Sequence, residues 1–353
     1  MNDRLRTRCI TVDPAQPDAA VIDEAAALLR AGRLVAFPTE TVYGLGANAL
    51  DAQALRRIYV AKERPASDPI IAHIAATAQL PRLARDLPRC LEALAARFWP
   101  GPLTLILRRA AGVPAAIAEG RDTIAVRMPA HPVAQALLRA ARIPVGAPSA
   151  NRFTRPSATT AAHVLEDLDG RVDLVLDAGP ASIGVESTVL DLTAGVPRVL
   201  RPGGVGIEAL RELLPATELA PRFVSAATQS DAPGQMLRHY APRARVTLYR
   251  GPEEARVLAA MASAMQALQD AGRRVGLLLA SEDAPQLPAA DAVVILASRD
   301  DLEGVSRRLF LALRDLDRAG VDAILVRDFG GGGLADAIHD RLLRAAEGRL
   351  VEA

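Results

Sequence analysis

The sequence predicts an α/β protein of two domains, the first on a sheet of mixed pairing and the second smaller and Rossmann-like. Three observations carry this expectation. Apolar runs of strand length alternate with helical periods along most of the chain. The pattern lapses once, between Pro215 and Arg245, and the 353 residues, half of them apolar, are enough for two cores. The domains are therefore set at 1–214 and 246–353, with a linker at 215–245.

From Asp18 to Arg30 the apolar residues recur at helical spacing, with Asp18 placed to cap the start and Gly32 just past the end. "RLVAFP" follows as a short buried strand and breaks into the polar "TETVYGLG", where Gly44 and Gly46 read as the means of turning the backbone close to a ligand. A second helix begins at Asp51, carries Leu55, Ile58 and Tyr59 on one face, and ends before Pro65. The apolar runs "PIIAHI", "LTLIL", "TIAVRMP", "IPVGAPSAN", "VDLVLDAG" and "STVLDL" then read as strands, with helices between several of them. After the Pro-, Ala-, Ser- and Thr-rich linker the alternation restarts: "RVTLYR", a helix to about Ala271, "RVGLLLA", "AVVILAS", a long helix from Asp301, "AILVRDF", and a last helix after Gly330–Gly333.

Composition excludes several functions. Lys plus Arg nearly equals Asp plus Glu, for a formal charge of +1, so the net balance points to neither a polyanion-binding surface nor an acidic tail. With 3% aromatic residues, a stacking platform for single-stranded nucleic acid is not expected. Cys9 and Cys90 are too few for a disulfide framework or a cysteine-rich zinc ribbon, and they suit a reducing compartment. The N-terminus lacks a continuous apolar stretch and no run of eighteen apolar residues follows, so a soluble cytoplasmic protein without a membrane partner is expected.

The chain has no G-x-x-x-x-G-K-[ST], H-E-x-x-H, G-x-S-x-G or kinase set. Gly330–Gly333 reads first as a tight turn and only second as a phosphate loop. Lys62 and Arg64, in "AKERPASDP", are cations at a helix exit, where the dipole alone would also favour them. Arg127 stands out, because an arginine closing an apolar strand must leave the core or meet an anion, and its fork suits a carboxylate or phosphate. "GAPSANRFTRPS" adds Ser149, Asn151 and Ser157, "GVESTVLDL" adds Ser187 and Thr188, and "VLRPGG" adds Arg201. His73, alone in an apolar strand, reads as a core residue. Cations ringed by hydroxyls, without a metal cluster or nucleophile–base pair, suit phosphoryl or nucleotidyl transfer, in which Mg²⁺ accompanies the substrate phosphates.

In this order, "FPTETVYGLG", Lys62–Pro65, "FWPGPLTLIL", "VRMP", "PSAN", "GVESTVLDL", "LRPG" and "HYAP" resemble the threonylcarbamoyl-AMP synthase (YrdC-like) family in its long, two-domain form. The resemblance implies a twisted open sheet with a concave, positively charged face. It implies a reaction in which L-threonine, bicarbonate and ATP give L-threonylcarbamoyl-adenylate and pyrophosphate. The product would pass to a threonylcarbamoyl transferase complex that modifies adenosine beside the anticodon of tRNA.

The resemblance assigns Thr39, His73, Arg127, Ala147 and Ser187 to threonine, with Arg127 on its carboxylate. Lys62, Ala66, Thr123, Ser149, Ser157, Arg201 and Tyr240 fall to ATP, with alanine at 66 and 147 where backbone or small-residue contacts serve. Lys62 with Arg64 and Ser149 with Asn151 are the K-x-R and S-x-N signatures and form the catalytic set. Glu63 departs from the small residue expected between Lys62 and Arg64, without effect if it points to solvent, and Glu40 and Tyr43 are left to order their loop. An RNA-binding module acting through the basic face is the competing expectation, with weak RNA contact possible in either case. The related carbamoyl-transfer factor of hydrogenase maturation is set aside because it needs a cysteine-rich zinc segment.

Overall fold

The computed structural model describes residues 6–65, 68–220 and 240–353. The chain divides into two compact units: Met1–Phe153, Ser157–Ser182 and Glu186–Gln235 form the first, and Thr154–Pro156, Ile183–Val185 and Met236–Ala353 the second.

In the first unit the strands are β1 (Arg8–Thr11), β2 (Val35–Phe37), β3 (Gly44–Asn48), β4 (Ala72–His73), β5 (Ala84–Arg85), β6 (Leu103–Arg109), β7 (Thr123–Arg127), β8 (Val145–Gly146), β9 (Leu174–Asp177), β10 (Thr188–Asp191), β11 (Arg198–Arg201) and β12 (Glu218–Leu219). The helices are α1 (Ala19–Arg30), α2 (Ala52–Lys62), α3 (Leu91–Phe98), α4 (Pro132–Ala141), α5 (Ala161–Leu168) and α6 (Ile207–Leu213). One twelve-stranded sheet runs β1-β9-β2-β3-β8-β4-β7-β6-β10-β11-β12, with β5 beside β6. Its pairing is mixed: β1, β9 and β2 run parallel, whereas β3 is antiparallel to both of its neighbours.

Local chemistry sets the elements. The Asp18 carboxylate accepts from Ala20 N at 2.8 Å and that of Asp51 from Gln53 N at 2.8 Å, so both helices start where the sequence places a cap. Strand alternation then divides the faces. Leu103, Leu105 and Leu107 of β6 and Ile124 and Val126 of β7 enter the larger core with Leu55 and Ile58 of α2 and Leu94 of α3. A second core gathers α1 and α4 against Val35, Phe37, Leu174 and Leu176.

Some expectations change. "PIIAHI" contributes only Ala72–His73 to the ladder, because Pro69 has no N–H, Ile70 N bonds to Ile117 O, and Ile71 O accepts from Ala147 N. In the same way Pro144 and Pro148 confine β8 to Val145–Gly146. The strand β1, in the charged N-terminal stretch, pairs in parallel with β9, and Ile10 packs against the second core. Gly44 and Gly46 do not turn the chain. Both lie within β3, and a Cβ on Gly46 would stand 2.9 Å from the Phe37 ring and 3.0 Å from Val145, so glycine there lets neighbouring strands pack.

The second unit has a five-stranded sheet of β13 (Arg245–Arg250), β14 (Val275–Leu279), β15 (Ala292–Ile295), β16 (Ala323–Arg327) and β17 (Leu350–Glu352), in the order β15-β14-β16-β13-β17. Every pairing is parallel, as crossover helices require. These helices are α7 (Glu254–Asp270), α8 (Leu302–Arg318) and α9 (Leu334–Ala345). Among the described residues no helix is long and apolar enough to cross a membrane.

Candidate active site

A polar row crosses the first unit's sheet. Register sets His73 of β4 opposite Arg127 of β7, and Arg127 opposite Thr104 of β6. Thr104 faces Val189 of β10, which faces Arg201 of β11. Paired residues on neighbouring strands project from one face, so His73, Arg127, Thr104 and Arg201 stand together although up to 128 positions separate them. Two residues along, Ile106 and Ala125 join Val189 and Ile71 in a small apolar cluster separate from the main cores. Thr123 shares the face of Arg127 at the other end of β7, about 13 Å along the strand.

Arg127 is buried, 4% exposed. Its Nη2 donates to Glu40 Oε1 at 2.6 Å, Nη1 to Thr41 Oγ1 at 2.9 Å, and Nε to Gly101 O at 3.2 Å. Glu40 Oε2 accepts from Ala130 N at 3.0 Å, so both carboxylate oxygens are in use. One N–H on each terminal nitrogen of Arg127 is left for a ligand. Thr39 acts on its own turn: its hydroxyl donates to Val42 O at 2.5 Å and accepts from the Val42 and Thr41 amides at 3.2 Å. His73 is neutral, because burial first and the Arg127 charge second push its pKa down to about 3.

Ser187 anchors the other end. Its Oγ lies 2.7 Å from Thr104 Oγ1, and Arg201 donates to Ser187 O through Nε at 3.1 Å and Nη2 at 2.9 Å. The "RPGG" segment passes so close that a Cβ on Gly203 would meet Ser187 C and Thr188 N at 2.3 Å. Only glycine fits there.

Lys62, fully buried at the end of α2, donates from Nζ to Ser149 O and Asn151 O at 2.5 Å each, which joins the K-x-R and S-x-N signatures. Burial, and then the charge of Arg64, holds its pKa well below the ordinary lysine value. The residue between them is left-handed, with Glu63 at φ 53, which explains why a small residue such as glycine suits this position. Glu63 turns outward to ion pairs with Arg152 and Arg171. Arg64 folds back onto Asp68 at 2.8 Å and onto the carbonyls of Asp68 and Pro69. Ser157 donates to Glu186 Oε1 at 2.5 Å, and Ala147 lies beside Gly44, where its Cβ limits the space to 3.3 Å.

The structure thus gathers His73, Arg127, Ser187 and Arg201 in one connected set with Thr39, and Lys62, Ser149 and Asn151 in another. Arg64 is drawn to Asp68, and Thr123 stands apart at the far end of β7. Tyr240 falls in the second unit, buried at φ 61, with its ring 5.2 Å from that of Phe310 and the Arg341 guanidinium 5.3 Å from its centre. Ala66 lies outside the described residues, as does linker stretch 221–239 with His239 of "HYAP". Sequence reasoning overlooks Thr104, whose signal is a lone hydroxyl in "LTLIL", and Glu186. Among the described residues no three His, Cys, Asp or Glu are grouped to hold a metal ion.

A family model for the Sua5, YciO and YrdC proteins, described as "Telomere recombination", matches residues 27–203. A second, described as "Threonylcarbamoyl-AMP synthase, C-terminal domain", matches residues 205–347. The threonylcarbamoyl-AMP synthase of Pyrococcus abyssi is 44% identical over 93% of this chain and 94% of its own length. That of Bacillus subtilis is 43% identical over 94% of each. A crystal structure of P. abyssi Sua5 complexed with L-threonine superposes with a TM-score of 0.90 at 42% identity, covering 98% of this chain and 99% of that one.

Proposed function

We propose, because the chain belongs to the Sua5–YciO–YrdC family and is an enzyme of the adenylyl-transferring kind, that it makes L-threonylcarbamoyl-adenylate and pyrophosphate from L-threonine, bicarbonate and ATP. The observation that carries this reading is the polar row, with one arginine at its middle and another at its end, flanked by an apolar cluster. Threonine's carboxylate takes the two remaining N–H groups of Arg127, within reach of neutral His73 and the Ser187 hydroxyl. Ala147 and the Thr39 turn bound the amino-acid side, and a threonine hydroxyl paired there discriminates against valine, which would leave polar groups unpaired.

The amine captures CO₂ from bicarbonate as a carbamate. A carbamate oxygen attacks the α-phosphorus, the bond to the β-phosphate oxygen breaks, and pyrophosphate departs with its electron pair. Lys62 and Arg201 stabilise the charge that develops. Ser149, Ser157 and Asn151 orient the phosphates, and Thr123 suits the far end of an extended nucleotide. Mg²⁺ would accompany ATP on its phosphates. Arg64 acts through the turn it fastens to Asp68, and Ala66 and Tyr240 keep a nucleotide assignment from the resemblance alone. The product feeds tRNA threonylcarbamoyladenosine formation in the cytoplasm through a separate transferase complex.

Omitting each substrate in turn tests the reading: pyrophosphate release is expected only with threonine, bicarbonate and ATP together. Release that persists without threonine, or salt-sensitive RNA binding with no such release, overturns it. Arg127→Ala is expected to weaken threonine binding by about 1.5–3 kcal/mol, measured by calorimetry.

A further inference from the structure

A cavity of about 570 Å³ opens in the first unit on the exposed side of α2, away from the polar row. Arg33, Arg56, Arg57 and Arg171 line it together with Gln53 and one carboxylate, Asp173. Arg56 has no hydrogen-bond or ion-pair partner among the described residues, and Arg57 donates only to a carbonyl, Gly32 O at 3.0 Å. Arg33 lies 3.4 Å from Asp173, whose other oxygen already accepts from Leu34 N at 2.9 Å. Arg171 divides between Glu63 at 2.7 Å and Ala61 O at 3.4 Å.

An ordinary solvated helix face mixes its cations with carboxylates at i±4, but α2, "AQALRRIYVAK", carries no acidic residue. Arg56 and Arg57 also stand in mid-helix, so the C-terminal dipole does not account for them. In a chain of net charge +1, four guanidinium groups around a single concavity meet two carboxylates, Asp173 in its lining and Glu63 on Arg171, and the excess of cations forms a local anion trap. The floor includes Leu34 and Ala61, which gives an apolar seat beneath the charged rim.

We propose that this cavity is a binding site for phosphate groups, with the arginine forks on the phosphate oxygens and the floor beneath the attached organic group. The shared chemistry has two sources, the phosphodiester backbone of RNA and a free phosphate species. The site stands independently of the catalytic reading above.

The test compares the full-length parent with Arg56→Glu/Arg57→Glu and the milder Arg56→Gln/Arg57→Gln. Binding of a labelled single-stranded RNA 12-mer is followed by anisotropy across a salt series, and binding of inorganic phosphate by calorimetry. Threonine-dependent pyrophosphate release without RNA is measured alongside and is expected to be unchanged. If RNA supplies the phosphates, its Kd rises at least about tenfold in the Glu variant, and the log–log salt slope falls by about 1.4, two single-strand contacts. Loss of the phosphate signal with RNA binding unmoved assigns the cavity to a free phosphate species. RNA and phosphate affinities that are the same in parent and both variants overturn the proposal.

Discussion

Both units place arginines at the ends of sheet strands, yet they satisfy them differently. In the second unit Asp283, wholly buried, takes Arg299 at 2.6 Å and Arg327 at 2.7 Å, and Arg327 also reaches Glu254 at 3.1 Å. In the first unit Lys62 is held by two backbone carbonyls. A carboxylate partner cancels the charge it holds, whereas a carbonyl or hydroxyl fixes the position of a cation without neutralising it. Under the proposed function, partner type separates the arginines that brace the fold around Asp283 from Lys62, a cation offered to an anionic substrate. By that measure Arg64, on Asp68, belongs with the bracing group, and Arg127, sharing one nitrogen with Glu40, lies between the two.

Four experiments press on this division. Asp283→Ala leaves two arginines without their common partner, and chemical denaturation is expected to show a loss of about 3–5 kcal/mol. Threonine-dependent pyrophosphate release per folded molecule is expected to persist, and its collapse would dissolve the distinction. Lys62→Met is expected to do the reverse, cutting release about 10²- to 10³-fold, with Lys62→Arg failing to restore it because the larger guanidinium has no room at a fully buried position. A Lys62→Met enzyme with near-parental turnover would remove Lys62 from the prepared group.

The third experiment asks whether His73 is neutral in the folded protein, held so by burial first and by the Arg127 charge second. His73 is held at about 3 in the folded protein, against an ordinary value near 6.5, so the unfolded chain binds the extra proton between those limits. Stability is therefore unaffected by His73 above about pH 6.5 and falls toward pH 3 by up to about 1.4 kcal/mol per pH unit. His73→Gln should flatten that acid limb in denaturation curves measured across the range, and an unchanged limb would assign the loss elsewhere. The smallest effect is expected from Glu63→Gly. Glycine relieves the left-handed backbone while two exposed ion pairs are lost, so the variant should unfold at no lower denaturant concentration than the parent.

The mixed sheet and the parallel second sheet were legible because apolar periodicity is local. Asp18 and Asp51 announce their helices by sequence alone. Arg127 was legible because a cation ending an apolar strand demands a partner, but which partner it takes was not: Glu40 is 87 positions away, in the loop between β2 and β3, and only the fold brings it there. Thr104 stayed hidden because one hydroxyl among leucines carries no sign of which face it occupies. Gly44 and Gly46 were misread because sequence does not distinguish a glycine that turns from one that makes room. The cavity beside α2 escaped because its arginines come from three separate segments that only the fold brings together.

The polar row runs across β4, β7, β6, β10 and β11. Its members are positioned by hydrogen-bond register, and a slip of one residue in any of these strands would turn that strand's contribution to the opposite face. The row is in that sense digital: an insertion in the β6–β7 connection leaves its register intact, while a single-residue insertion within β7 exchanges Arg127 for its core-facing neighbour. Turnover measured across an insertion scan would then fall in steps that mark the strand boundaries, and so report the folded register without a structure determination.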